Sequence, residues 1–198
     1  MPQLLFQGHA SFRLTADDGR VVFIDPYKGK GYDVPADLIL VTHQHHDHNQ
    51  VKRCVQKSGC RVISNVEALS GGKHNFFDFN GIEIQAVEAK NKRHDSNECV
   101  GYLVTVDGVK IYAAGDTSKT EQMKTLSAMD LDYTLLCGDG LFNMGPDEAA
   151  QCARLIGAKH NILIHLKPGE SIRRKAEKWG APNKLILEPG QEITIAKA

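Results

Sequence analysis

Residues 42–48 read Thr-His-Gln-His-His-Asp-His and follow directly on the apolar run Leu38–Val41. A short apolar run bounded by polar residues reads as a buried strand. It puts the polar cluster at the strand's C-terminal edge, where open α/β sheets collect their sites. His43, His45, Asp47 and His48 place three histidines and one aspartate within six consecutive positions. Imidazole and carboxylate are the nitrogen and oxygen ligands that zinc and its first-row neighbours take. Side chains at i and i+2 converge on extended or turning backbone and diverge on a helix. His43 and His45 therefore form one pair on the loop leaving the strand, and Asp47 and His48 form a second pair aimed elsewhere. Two pairs suggest two metals rather than one. The competing reading is an adventitious histidine tract or an affinity tag. Tags sit at termini and repeat histidine alone, whereas this run is internal and contains aspartate.

At 198 residues the chain suits one domain, residues 1–198, with a substantial core. Its 24 basic and 24 acidic residues cancel to a formal net charge of +0. No global field points to nucleic acid or to an anionic membrane. No apolar run approaches the roughly 18 residues of a membrane-spanning helix. The opening MPQLLFQGHASFRL lacks the basic stretch and long apolar core of a signal peptide. The five cysteines (Cys54, Cys60, Cys99, Cys137, Cys152) are odd in number and form no CxxC. That composition fits a reduced, cytoplasmic protein. The expected partner is a small-molecule substrate, with assembly into a homo-oligomer left open.

Strand patterns recur in both halves. LLFQ, ASFRL and VVFID come first, with a turn at Asp17-Asp18-Gly19 and a stop at Asp25-Pro26. The run from Asp37 to His43 is followed by a predicted helix over Asn49–Ser58, with Val51, Cys54 and Val55 on one face. RVIS is a strand, Gly71-Gly72 a turn, and FFDFNGIEIQAVEA a hairpin about Asn80-Gly81. GYLVTV and VKIYAAGDT are strands joined at Asp107-Gly108, with a helix around Glu121–Met129. YTLLCGDG is a buried strand, and Pro146 and Asp147 suit the start of the helix PDEAAQCARLIG. NILIH is a strand, SIRRKAEKW a helix ended by Gly180, and KLILE and EITIA are closing strands. This order suggests two packed sheets with helices outside.

A dinuclear site needs further ligands, and three candidates end or follow strands: His94, Asp116 and His165. A strand ending in THQHHDH, a lone histidine, a strand-terminal GDT and a strand-terminal histidine resemble, in that order, the metallo-β-lactamase superfamily. The GHASF, IDP and NMGPDEA segments make the chain similar to that superfamily's small bacterial metal-dependent hydrolases, related to the L-ascorbate-6-phosphate lactonases. The resemblance implies an α/β, four-layer αββα sandwich of two mixed β-sheets. It implies that His43, His45 and His94 hold one metal, that Asp47, His48 and His165 hold the second, and that Asp116 bridges them. The first pair is His-x-His, not the His-x-Glu of flavodiiron oxygen reductases, which favours hydrolysis over oxygen reduction. No cysteine falls at a ligand motif, unlike the zinc β-lactamases with a cysteine at the second metal. The resulting all-N/O site is less zinc-selective, so zinc is expected first with manganese or iron as alternatives. The glyoxalase II helical extension and the inserted nuclease domain are both missing. Leu166-Lys167-Pro168 stands after His165, where relatives often carry an aromatic residue.

Two adjacent metals can acidify a shared water, so no protein nucleophile is needed. Asp47 and Asp116 are then the candidate catalytic residues, Asp47 because a carboxylate can bind metal or pass a proton to a leaving group. The expected reaction is hydrolysis of an ester, lactone, amide or phosphoester. The rival reading is a non-catalytic metal-binding scaffold or sensor, and a redox di-iron protein is a third. His9 in GHASF reads equally as a contact at the site or as an ordinary hydrogen-bonded histidine. His46, His74 and His160 compete poorly as ligands, and Cys99 and Cys137 read as buried thiols. Asp139 lines the cleft or caps a turn. Lys90, Lys92, Arg93 and Lys167 form either a cationic rim for an anionic substrate or a solvated charged loop, with Asp95 and Glu98 partly cancelling them.

Overall fold

Alternation of apolar residues with a period of two builds most of this molecule, as sheets with one face turned to a shared core require. The computed structural model describes residues 1–197. The first strands are β1 (Gln3–Gly8), β2 (Ser11–Thr15), β3 (Val21–Ile24), β4 (Ala36–Val41) and β5 (Gln56–Ser64), followed by the short α1 (Asn65–Ala68). Then come β6 (Phe76–Phe79), β7 (Ile82–Glu88), β8 (Val100–Val106), β9 (Val109–Ala113) and α2 (Met123–Leu126). β10 (Tyr133–Cys137), α3 (Pro146–Ile156), β11 (His160–Ile164), α4 (Ile172–Lys178) and β12 (Glu192–Thr194) complete the order. Two six-stranded sheets result, β12-β1-β2-β3-β4-β5 and β11-β10-β9-β8-β7-β6. Each starts with antiparallel neighbours and ends in two parallel pairings, β3/β4 and β4/β5 in the first and β9/β10 and β10/β11 in the second.

The inner faces of the sheets meet in one core. Leu4, Phe6, Phe12, Leu14, Val22, Ile24, Leu38 and Leu40 pack against Ile84, Tyr102, Val104, Ile111, Leu135 and Ile162. The alternate residues Phe23, Ile39 and Val41 face outward into a second cluster. Outside the second sheet, Met123 and Leu126 of α2, Ala149, Ala153 and Ile156 of α3 and Ala176 of α4 close the outer layer with Trp179. This is the expected αββα sandwich of two mixed sheets.

Over the first sheet the outer layer is made differently. The helix expected at Asn49–Ser58 is not formed; a 3-10 turn covers Val51–Arg53 and β5 already begins at Gln56. Backbone donors tie the segment to its neighbours, Gln50 to the Pro26 carbonyl and Val55 to that of Tyr32, while Ala36 donates to Val55. β-Branched Val51 and Val55 and the left-handed Gly59 (φ 85°) weaken a helix there, and parallel pairing with β4 prevails. Cys54 and Val51 still pack inward with Tyr32, whereas Val55 is 49% exposed.

The expected KLILE strand is also absent. It makes one isolated bridge, Asn161 to Lys184, although Leu187 enters the core between the sheets and Ile186 packs on the helical side. The helix predicted at Glu121–Met129 is one α-turn continued by a 3-10 turn over Ser127–Met129. The Asn80-Gly81 hairpin is as expected, with both residues left-handed (φ 52° and 86°), as a type I′ turn demands. No helix among the described residues is long and apolar enough to cross a membrane.

Candidate metal centre

The candidate residues converge because six strands run out at the same edge. His9 follows β1, Asp25 follows β3, the His43–His48 loop follows β4, Asp116 lies beyond β9, Asp139 beyond β10 and His165 beyond β11. Gly115 lets the chain turn into Asp116: its φ is 64°, and a Cβ there would stand 2.9 Å from the Val100 carbonyl and 3.1 Å from Thr42.

Three overlapping groups of side chains bring their donor atoms within 4.8 Å of one another: His43, His45 and His94; His43, His48 and Asp116; and His9, Asp47, His48 and His165. His45 and His94 face each other through their Nε2 atoms at 3.2 Å. Asp116 lies between the groups. Its Oδ1 is 3.3 Å from His48 Nε2 and 3.1 Å from His165 Nε2, while its Oδ2 is 3.9 Å from His43 Nε2. All seven residues expected as ligands are thus brought into one cluster, and His9 joins them. His46 is exposed and packs edge-on against Tyr27, His160 stacks on Tyr133, and His74 sits beside β6, outside these groups.

Hydrogen bonds on the far side of the rings decide which nitrogen faces the cluster. The Thr42 hydroxyl donates to Asp25 Oδ2 (2.7 Å), so the 3.0 Å contact between Thr42 Oγ1 and His43 Nδ1 requires the ring to donate. That leaves a lone pair on His43 Nε2. His48 Nδ1 bonds Asp25 Oδ2 at 2.8 Å, which turns its Nε2 toward Asp116, while His165 Nδ1 stands 3.3 Å from Asp139 Oδ2 without an aligned hydrogen bond. Asn91 accepts from the backbone N–H groups of Arg93 and His94 and donates to Asn143 Oδ1 and the Asp116 carbonyl, fixing the loop that carries His94.

Asp25 therefore holds three groups at once: the Thr42 N–H, the Thr42 hydroxyl and His48. The IDP strand end was the only sequence signal for it, and that signal carried no role. Asp139 does both things expected of it. Its Oδ1 caps the turn at the Leu141 N–H (2.7 Å), and its Oδ2 accepts from Asn143 beside His165. Cys99 and Cys137 are buried thiols that donate to the carbonyls of Ala89 and Thr117.

His43 Nε2, His48 Nε2, His165 Nε2 and Asp116 Oδ1 are buried and have no aligned hydrogen-bond partner among the described residues, despite contacts of 3.1–3.9 Å. Unpaired buried polar atoms are costly, and cations bound among these residues would satisfy them. The donor set is nitrogen and carboxylate oxygen, which fits a divalent first-row metal.

Electrostatics agree. Burial, with His48 adding to it, pushes the His43 imidazole down to about 2, so this ring stays neutral. Burial also works against charge on His48, but Asp25 and Asp116 outweigh it and hold its pKa well above the ordinary histidine value. Asp116 is pushed up by burial and pulled further down by His48, His165 and His43, so it stays ionised. Protons on His48 thus occupy the place a cation would take.

The cluster opens into a cleft of about 490 Å³ whose lining includes His9, Asp47, Lys167, Arg93, Leu141 and Phe142. The Arg93 guanidinium lies 3.7 Å from the centre of the Phe142 ring. Lys90 is turned away into an ion pair with Glu88 (3.0 Å), and Lys92 is exposed outside the cleft.

Residues 3–165 match the family model described as the Beta-lactamase superfamily domain. A UPF0173 metal-dependent hydrolase of Thermococcus kodakarensis is 30% identical, over 98% of this chain and 100% of that protein. Among solved structures, a Parabacteroides distasonis protein is 29% identical with a TM-score of 0.75, covering 95% of this chain and 93% of its own. Igni18, a metallo hydrolase from Ignicoccus hospitalis, is 19% identical with a TM-score of 0.79 over 98% of both chains, a likeness of fold.

Proposed function

The chain belongs to the Beta-lactamase superfamily domain family, and from that premise we propose that it is a metal-dependent hydrolase with two divalent cations. Its substrate is a small ester, lactone, amide or phosphoester carrying an anionic group. One observation carries the reading: the two oxygens of Asp116 face different histidines, Oδ1 toward His48 and His165 and Oδ2 toward His43. In this reading His43, His45 and His94 hold one cation, Asp47, His48 and His165 hold the other, and Asp116 bridges. Zinc suits the donor set first, with manganese or iron as alternatives.

Cations held by these residues would supply Lewis acidity toward water and toward the oxygen of the bond under attack. The chain's own residues do the rest. The hydrogen bonds from His43 to Thr42 and from His48 to Asp25 keep the Nε2 atoms directed inward. Asp116 side-chain exposure is 10% against 34% for Asp47. The buried carboxylate is thus suited to bridging, and the exposed one to passing a proton to the leaving group at the cleft. In the metal-free protein the hydrogen bond from His9 holds the Asp47 carboxyl well below the usual range, so it is ionised and able to ligate, and it must take up a proton before it can pass one on. Arg93 and Lys167 line the cleft and supply the positive charge that an anionic group would meet. Leu141 and Phe142 offer an apolar wall.

The test is metal-stripped protein reconstituted in parallel with Zn, Mn and Fe and assayed on lactones, carboxylic esters and bis-p-nitrophenyl phosphate. The expected outcome is about two metals per chain and turnover that vanishes on chelation, with anionic substrates favoured. Two bound metals without turnover on any class would point instead to a scaffold or sensor.

A further inference from the structure

We propose that His9 is itself a metal ligand, completing with Asp47, His48 and His165 a four-residue site for the second cation. The inference rests on the two-metal reading and adds a residue to it. The donor atoms of these four side chains all lie within 4.8 Å of one another. Metal–ligand bonds of about 2.0–2.2 Å leave donors of one ion roughly 3–4 Å apart, so the group needs little contraction to close on a cation. His9 Nε2 already stands 3.1 Å from Asp47 Oδ2, and its ring centre is 3.8 Å from that of His165.

The backbone around His9 is built to hold the ring there. The β1/β2 register shifts between Phe6 and Gly8, so the hairpin bulges just before it. His9 itself takes φ 59°, a left-handed conformation that glycine and asparagine adopt with less strain. The His9 carbonyl accepts from the His165 N–H at 2.9 Å, and His165 is also left-handed at φ 48°. Two strained histidines from opposite sheets are thus clamped to each other with their rings in contact. Strain of this kind marks functional sites when the ring's position is what it secures. A hydrogen bond to Asp47 alone would not need the His165 and His48 rings to crowd the same point, yet the His9 ring centre is also 5.7 Å from that of His48.

One consequence follows for the pair of sites. The second cation would meet four side chains besides Asp116, and the first only three. A fuller protein shell holds its ion more tightly, and the emptier one keeps a position for substrate.

The experiment is a stepwise titration of metal-stripped wild type, His9→Gln and His9→Ala. Zn(II) binding is read against a chelating indicator, and Co(II) binding by visible absorption. Glutamine keeps an N–H donor for Asp47 but offers no ligating imidazole nitrogen. We expect two unequal steps in wild type, and in both variants a loss in one step that exceeds the roughly 10–100-fold typical of removing a ligand's hydrogen-bond partner, with an altered Co(II) spectrum for that step. His9→Gln with both wild-type affinities and the wild-type spectrum would show that His9 only positions Asp47, and the proposal falls. In case the variants fold poorly, ¹⁵N spectra of the wild-type histidine rings serve as well. The His9 ring should shift together with that of His165 as the tighter site fills, and a His9 ring that stays unshifted overturns the proposal. Wild type that takes up no cation would sink the two-metal reading itself.

Discussion

Asp25, His9 and His165 take positive φ of 47°, 59° and 48°, and each stands where a strand runs out at the candidate metal centre. Asp25 is the one whose loss is easiest to foresee, because its carboxylate is fully committed. Without it the Thr42 N–H, the Thr42 hydroxyl and His48 Nδ1 are left buried with no acceptor. Asp25→Ala should cost about 3 kcal/mol in denaturant unfolding. It should also weaken metal binding by about 10–100-fold, because His48 loses the bond that fixes its ring. Asp25→Asn, which still accepts from Thr42, should lose less stability than affinity; equal losses in both would mean that Asp25 serves only the fold. The proposed ligands and Asp25 differ in how far the sequence discloses them. His43, His45, Asp47 and His48 declare themselves by density, Asp116 and His165 by following strands, and His94 as the lone histidine ahead of the GYLVTV strand. Asp25 also ends a strand, yet its task is to accept hydrogen bonds from residues of another strand, and no local pattern records such a contact. His9 was ambiguous for the same reason: a histidine after glycine shows neither its φ nor the ring it will meet.

At the scale of elements, periodicity was readable wherever one face of a strand or helix is buried. α3 has proline at its first position and left-handed Gly157 (φ 72°) past its end, so both boundaries show in the letters. The segment after the histidine loop misleads because Val51 and Cys54 do face inward, as a helix would have them, while the backbone is held by bonds to the 26–32 loop. Two glycines give a paired test of what such positions are for. Gly157 has open space around its missing Cβ, so Gly157→Ala should cost about 1 kcal/mol from backbone conformation and leave metal binding unchanged. Gly115 is also left-handed, but a Cβ there meets the Val100 carbonyl at 2.9 Å. Gly115→Ala should therefore cost roughly 2–3 kcal/mol and, by displacing Asp116, also lower metal affinity. Thermal unfolding and metal titration of the two variants separate these outcomes. Similar metal affinities in both would mean that the turn before Asp116 is not what positions it.

At the scale of the whole molecule, the centre lies on the seam between the sheets. His9 and His43–His48 come from the first sheet's strand ends, Asp116 and His165 from the second's, and His94 from the loop between β7 and β8. A cation held by both should stabilise the sandwich as a unit rather than one loop. Free metal at about 100 times its dissociation constant adds roughly 2.7 kcal/mol per site, or about 5–10 °C in melting temperature for a chain of this size. The pH dependence has a definite sign. In metal-free protein the raised pKa of His48 contributes stability that is complete below the ordinary value of 6.5 and is lost as pH rises through the raised one. Cations compete with those same protons, so their contribution grows over the window where the proton's contribution fades. The melting-temperature gap between loaded and chelated protein should therefore be small near pH 5.5 and widen as pH rises through and above neutrality. Differential scanning calorimetry at several pH values with and without chelator measures it. A gap that is absent at every pH would mean that no cation bridges the sheets, and a gap that narrows as pH rises would mean that the cation sits away from His48.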